Sequence, residues 1–140
     1  MKTSIITILF VFGLSLNILI AQPQAVTKGL IKKYPSAKSI NWIKENESWK
    51  AEFFLGDRKT SAIFDLEGHW LSAKQEINLE EIGVEEVKTA IKKDFSNCKI
   101  LSVYIINMAT TGTFYEVEGI CGTETRKRSY DYIGLPPPKI

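Results

Sequence analysis

The sequence has few of the residues on which enzyme chemistry depends. It contains one histidine, His69, and two cysteines, Cys98 and Cys121. The cysteines do not form a CxxC motif, which excludes a thioredoxin-like redox site and a zinc knuckle. Because a metal site needs several converging ligands, a lone histidine beside Trp70 is more typical of a turn or surface residue. We therefore expect no catalytic residue, no metal site and no cofactor.

The sequence also gives little support to two other kinds of catalytic site, a phosphate-binding loop and a carboxylate pair. The glycines near the C-terminus have neither the spacing nor the context of a phosphate-binding loop. Asp65 and Asp131 could form a carboxylate pair, but each begins an Asp-x-x-Gly sequence, which predicts a turn. A hydrolase that uses His69 with a carboxylate is the enzymatic alternative.

The chain carries little net charge, +2 in all. Such a balance predicts no strong attraction to nucleic acid or to anionic membranes. The sharpest charge cluster is Arg126-Lys127-Arg128. It could contact an acidic partner, but charges that protect an edge strand from aggregation are the favoured interpretation.

The N-terminus has the pattern of an export signal. Lys2 precedes an almost wholly apolar run from Ile5 to Ile20, and Ala21 is a small residue at a plausible cleavage point. Cleavage after Ala25 and an uncleaved anchor are the alternatives. We predict a signal peptide at residues 1–21 and one periplasmic or secreted domain at residues 22–140, with no membrane association after cleavage.

The remaining chain repeats itself. Ile31–Ile40 aligns with Ile91–Ile100, and Trp49–Gly68 aligns with Tyr115–Gly134, with an insertion in the hairpin around Ala109 to Thr113. We predict two repeats, at about residues 24–77 and 78–134, followed by a short proline-rich tail. Each repeat begins with an amphipathic helix and continues with antiparallel strands.

Two-residue turns set the strand register in the first repeat. One face of the sheet is predicted to form the core, through Ile40, Trp42, Trp49, Ala51, Phe53, Leu55, Ala62 and Phe64. The opposite face mixes apolar and charged side chains and is predicted to be exposed to solvent. On that face we select five candidate partner-binding residues: Lys50, Glu52, Phe54, Ser61 and Ile63.

In the second repeat the same register brings Cys98 nearly opposite Cys121. A disulfide between them is geometrically reasonable. The alternative is two buried free thiols, because cysteine often packs as a small apolar residue.

Several motifs resemble the PepSY-like family of exported, beta-lactamase-inhibitor-like bacterial proteins. They are Ile31-Lys32-Lys33-Tyr34-Pro35-Ser36-Ala37, then Trp49-Lys50-Ala51-Glu52-Phe53, then Phe64-Asp65-Leu66-Glu67-Gly68-His69-Trp70-Leu71. The resemblance spans about residues 24–134, although Gly83 stands where the family often has proline. It implies a tandem helix-plus-four-strand fold and a binding or inhibitory role.

We therefore expect an α+β protein with two helices packed on one face of an antiparallel sheet of about seven strands. The expected function is that of an exported, non-catalytic module that recognises a protein partner through the open sheet face. A small-ligand carrier or envelope sensor, with a pocket between helices and sheet, is the alternative.

Overall fold

The computed structural model describes residues 21–136. The predicted signal peptide lies outside them, apart from Ala21. The elements are α1 (Gln24–Lys33), β1 (Lys38–Glu45), β2 (Ser48–Leu55), β3 (Arg58–Asp65), β4 (Trp70–Ile77), a 3-10 turn (Leu79–Glu81), α2 (Glu85–Asp94), β5 (Lys99–Met108), β6 (Gly112–Cys121) and β7 (Glu124–Tyr130). Both α-helices have ten residues, and no helix among residues 21–136 is long and apolar enough to cross a membrane.

The ends of both helices follow from local sequence. The Pro23 carbonyl accepts the N–H groups of Val26 and Thr27 in the first turn of α1, and Pro35 follows its last turn. Glu85 and Glu86 lie in the first turn of α2, and basic residues lie in its last turn. These charges interact favourably with the helix dipole at both ends and so stabilise the helix.

The seven strands form one antiparallel sheet in the order β1-β2-β3-β4-β5-β6-β7. Each strand therefore pairs with its neighbour in the chain. The α+β class, the two helices and the seven antiparallel strands agree with the prediction from sequence. The helix α2 is inserted between β4 and β5, which lie at the middle of the sheet.

The buried side chains form two clusters, one around each helix. The cluster around α1 contains Val26, Leu30, Trp49, Ala51, Phe53, Ala62, Phe64 and Ala73. The cluster around α2 contains Ile82, Val87, Ile91, Phe95, Val103, Tyr115, Val117 and Tyr130. Burial alternates along β2 and β3, as expected for strands with one face on a core.

The pairing of β2 with β3 matches the predicted register from Leu55–Arg58 to Trp49–Phe64. The prediction for Ile40 is wrong, because its side chain is 39% exposed. The register of β1 against β2 shifts between Lys38 and Asn41. This bulge inserts an additional residue into β1, so Ile40 is not held opposite Phe53 on the core face.

Helix α1 contacts the turn after β3 through two glycines. A Cβ atom on Gly29 would lie 2.1 Å from the carbonyl oxygen of Gly68, and one on Gly68 would lie 2.2 Å from that of Ala25. Gly68 also has a φ of +86°. A glycine inside a helix normally lowers its stability, but here it permits backbone contact between the helix and the turn.

We predict that Gly68→Ala lowers the free energy of unfolding by about 3 kcal/mol or more, because it combines an unfavourable φ with a clash against the α1 backbone. Gly56→Ala is the matched control, since Gly56 also has positive φ but no atom within 4 Å of the added Cβ. It should lower stability by only about 1 kcal/mol. Urea unfolding measures both, and equal losses would contradict the role of the contact.

The structure contains the predicted disulfide. The Sγ atoms of Cys98 and Cys121 lie at bonding distance, across a sequence separation of 23 residues. Cys98 follows α2 and Cys121 ends β6. The bond therefore ties the loop after the helix to the far end of the β5–β6 hairpin.

We predict that replacing both cysteines by serine lowers the free energy of unfolding by about 3 kcal/mol, because the bond restricts a loop of this length in the unfolded chain. Chemical denaturation of the oxidised protein and of the double variant measures the difference. Reductant should destabilise the parent and leave the double variant unchanged. A parent insensitive to reductant would contradict the prediction.

Candidate functional site

The five candidate partner-binding residues lie on the face of the sheet that is turned away from the helices. We call this the open face. Lys50 pairs with Ile63 and Glu52 pairs with Ser61, so the register brings these four residues into two adjacent rows. Phe54 continues the same face of β2 and is 42% exposed. The other four are half-buried, which is expected for side chains standing side by side on a solvated sheet.

Charges on the β2 part of the open face are paired. The Lys50 Nζ atom lies 3.3 Å from Glu45 Oε1 and 3.4 Å from Glu52 Oε1. The hydrogen bond to Glu45 is the main reason that the pKa of the Lys50 ammonium lies above its ordinary value. These exposed pairs hold the long side chains in place more than they stabilise the fold.

The open face continues across β4 to β7, where a second charged group lies. Lys74 Nζ is 2.7 Å from Glu116 Oε1, and Lys127 Nζ is 3.0 Å from the same oxygen. The Lys74 ammonium also lies 4.0 Å from the centroid of the Tyr104 ring, a cation–π distance. A carboxylate shared between two ammonium groups thus fixes the central part of this face.

The shared contact shifts the titration of Glu116. Partial burial by itself raises the pKa of the Glu116 carboxyl, but the hydrogen bonds from Lys74 and Lys127 outweigh it. The pKa therefore lies below its ordinary value. A lowered pKa in the folded state means that the carboxylate stabilises the fold above its unfolded-state pKa.

A shallow cavity of about 140 Å³ lies between the two charged groups. Its lining is Glu52, Lys59, Thr60, Ser61, Lys74, Glu76 and Tyr104. A second depression of about 160 Å³ adjoins it near β1 and shares Glu52 and Lys59. The open face is therefore an uneven surface, and its cavity is lined by the tyrosine ring and by charges of both signs.

Sequence reasoning missed Lys74, Tyr104 and Glu116, although a signal was present. Lys74 and Glu76 alternate with Ala73 and Gln75 along β4, a pattern that would have assigned them to one face. What could not be derived from the sequence was the register of β4 against β5. It pairs Lys74 with Ile106 across the inserted helix, and no short turn specifies it.

The basic run Arg126-Lys127-Arg128 is divided between two faces by the alternation of β7. Arg126 donates to the carbonyl oxygen of Asp94 at the end of α2, while Lys127 contacts Glu116 on the open face. Tyr130 donates to Asp94 Oδ2 at 2.8 Å. Contact with an acidic partner and protection of an edge strand both remain predictions for this run, because the contacts described above involve only part of its charge.

Asp65 and His69 form a hydrogen-bonded turn. Asp65 Oδ1 accepts the N–H groups of Glu67 and His69, and Asp65 Oδ2 lies 2.8 Å from His69 Nδ1. Desolvation is the largest single influence on the pKa of the Asp65 carboxyl and raises it, but the bonds from His69 and Glu67 together lower the pKa overall. The turn-forming role predicted for Asp65 thus accounts for both of its oxygens.

Asp65, Glu67 and His69 also place three metal-ligand atoms within 4.8 Å of one another. A small divalent ion could bind there only by displacing the Asp65–His69 hydrogen bond. The His69 side chain is 74% exposed, unlike the enclosed ligands of a structural site. The absence of a metal site stays a prediction.

The space between α1 and the sheet is filled with side chains. Val26, Leu30, Phe53 and Phe64 are each at most 1% exposed. The ligand-carrier alternative required a pocket in this position, and the cavities on the open face do not supply one. The ligand-carrier alternative stays an untested prediction.

No family model matches the sequence, and no curated protein matches it. Solved structures do match. A Bacteroides eggerthii protein, classed provisionally as periplasmic, has 18% identity and a TM-score of 0.76, over 83% of this chain and 86% of its own. A DUF2874 family protein from Bacteroides ovatus has 16% identity and a TM-score of 0.74, over 83% and 84%.

A BLIP-like protein from Bacteroides fragilis has 22% identity and a TM-score of 0.74, over 85% of each chain. This chain has a BLIP-like fold. Identities below 25% establish only the fold, because one fold carries many functions. The periplasmic or secreted location and the PepSY-like resemblance both stay predictions.

We predict that Glu116→Gln lowers the free energy of unfolding at pH 7 by roughly 1 kcal/mol, because both ammonium groups lose their anionic partner. Glu116 has a lowered pKa, so its contribution should be complete above the ordinary value of 4.5 and disappear as the pH falls through the folded-state pKa. Denaturation of parent and variant from pH 7 to pH 3 measures this. A stability difference that does not decrease as the pH falls below 4.5 would contradict it.

Proposed function

We propose that this protein is an exported, non-catalytic module that binds a protein partner through the open face. One observation carries the proposal. The two helices cover one face of the sheet, while within residues 21–136 the opposite face presents apolar, aromatic and paired charged side chains to solvent. Aromatic side chains are enriched at protein interfaces, and this face carries Phe54 and Tyr104.

The central part of the open face is already ordered before any partner binds. Lys74 is held by Glu116 and by the Tyr104 ring, and Lys50 is held between two carboxylates. A partner would therefore immobilise few additional side chains, which reduces the entropic penalty of association. Phe54 supplies an exposed aromatic side chain at one end of this surface.

We also infer a PepSY-like origin by internal duplication. Each half begins with a ten-residue helix, and Asp65 and Asp131 begin equivalent turns. Gly68 and Gly134 both have positive φ and both lie against the backbone of a helix. These correspondences support a helix-then-strands unit present twice.

The proposal is tested by affinity capture from an envelope extract of the producing organism, followed by site-specific crosslinking. A photoreactive residue in place of Ser61 should form a covalent adduct with one defined protein. Phe54→Asp should weaken its capture by at least tenfold, because a charge replaces an apolar contact in a desolvated interface.

Ile31→Asp is the matched control, since Ile31 is also apolar, is 56% exposed and lies on α1 away from the open face. It should leave capture unchanged. Circular dichroism must show both variants folded. Equal capture by parent and Phe54→Asp, or a crosslink obtained only from the helix side, would refute binding through the open face.

A further inference from the structure

The chain makes the same turn after β3 and after β7. Asp65 Oδ1 accepts the N–H groups of Glu67 and His69, and the Asp65 N–H donates to the His69 carbonyl. After β7, Asp131 Oδ1 accepts two N–H groups at the same spacing, and the Asp131 N–H donates to the Leu135 carbonyl. Both turns reverse the chain so that it can run back along the preceding strand.

The segments that follow these turns differ in their capacity to pair. After the first turn, β4 forms a ladder with β3, in which Ser61 pairs with Lys74 and Ile63 with Ser72. After the second turn the chain continues as Pro136-Pro137-Pro138. Proline has no N–H group, so these three residues have no backbone hydrogen to donate to β7 as β4 donates to β3. Within residues 21–136, β6 is the one neighbour of β7.

Among residues 21–136, no strand pairs with the outer edge of β7. The β6–β7 hairpin has a turn at Gly122 and Thr123, closed by the Cys121–Glu124 pair. In such a turn the closing residues exchange hydrogen bonds, and the pattern alternates along the ladder. The N–H groups of Thr125, Lys127 and Ser129 thus point outward.

The charge of β7 indicates what can pair there. Arg126 and Arg128 project to one face and Lys127 to the other, and Arg128 forms no ion pair among the described residues. Oppositely charged cross-strand pairs stabilise a ladder and like charges destabilise it. If two copies of β7 paired, basic side chains would lie opposite basic side chains. The edge therefore disfavours self-pairing.

We propose that the outer edge of β7 binds an extended, acidic protein segment as an eighth strand, in the position that β4 occupies beside β3. The segment donates and accepts backbone hydrogen bonds along β7, and its carboxylates face Arg126 and Arg128. This edge is separate from the open face, and its occupancy does not require the partner proposed above.

The experiment uses the oxidised protein and a capped octapeptide that alternates valine and glutamate. Amide hydrogen exchange, followed by NMR, should show increased protection of Thr125, Lys127 and Ser129 when the peptide is added. A peptide that alternates valine and lysine should give no protection. Rising salt concentration should weaken the acidic peptide's affinity, because exposed charges are screened.

Two variants separate charge from backbone pairing. Arg128→Glu should weaken the peptide's affinity by about three- to tenfold, because one attractive cross-strand pair becomes repulsive. Lys127→Pro should weaken it at least fivefold more than Lys127→Ala, since both variants lose the ammonium group but only proline loses the outward N–H. If Lys127→Pro fails to fold, the affinity of Arg128→Glu compared with that of the parent protein still tests the proposal.

Three results would overturn the proposal. The first is equal protection by the acidic and basic peptides, and the second is protection confined to amides outside β7. The third is a dimer of the protein alone that already protects the β7 edge, detected by sedimentation together with exchange.

Discussion

The register between β2 and β3 is the constraint on which the surface chemistry of this protein depends. The turn at Gly56 and Asp57 fixes Leu55 opposite Arg58, and every later pair follows at a period of two. A slip by one residue would bring Lys50 and Glu52 to the helices and expose Trp49 and Phe53. The burial of large aromatic side chains on one side therefore determines which charges appear on the other.

A similar logic connects the helices to the strands. Helix α1 lies against the turn after β3 because Gly29 and Gly68 leave room for backbone contact. Helix α2 is linked to β7 by Arg126, which donates to the Asp94 carbonyl, and by the Tyr130 hydroxyl. The contact of α1 depends on glycines, which have no side chain, whereas the contact of α2 depends on polar side chains.

The sequence predicted those features that short-range rules decide. The helices, the β2–β3 register, the turn at Asp65 and the Cys98–Cys121 pairing all follow from spacing, turn chemistry or alternation within one hairpin. Ile40 was assigned wrongly because a bulge near Ser39, whose φ is +55°, changes the phase of β1. Nothing in the composition of that strand marks where the additional residue is inserted.

Features that depend on distant pairing were not predictable in this way. The contact between Lys74 and Glu116 joins β4 to β6, which are separated in the chain by α2 and β5. Its geometry follows from the β4–β5 pairing, which no short turn specifies. The five candidate residues on β2 and β3 therefore represent only the half of the open face that local register could define.

The consecutive order of the strands has a consequence for how the molecule opens and refolds. Because each strand pairs with its chain neighbour, most ladders close short loops, which favours rapid zipping from hairpin nuclei. Only the β4–β5 ladder spans an inserted helix. We expect that ladder to be the seam between two units that unfold separately, because each has its own buried cluster. Partial unfolding would then separate the sheet along this seam, and the disulfide would retain the C-terminal unit in a compact state.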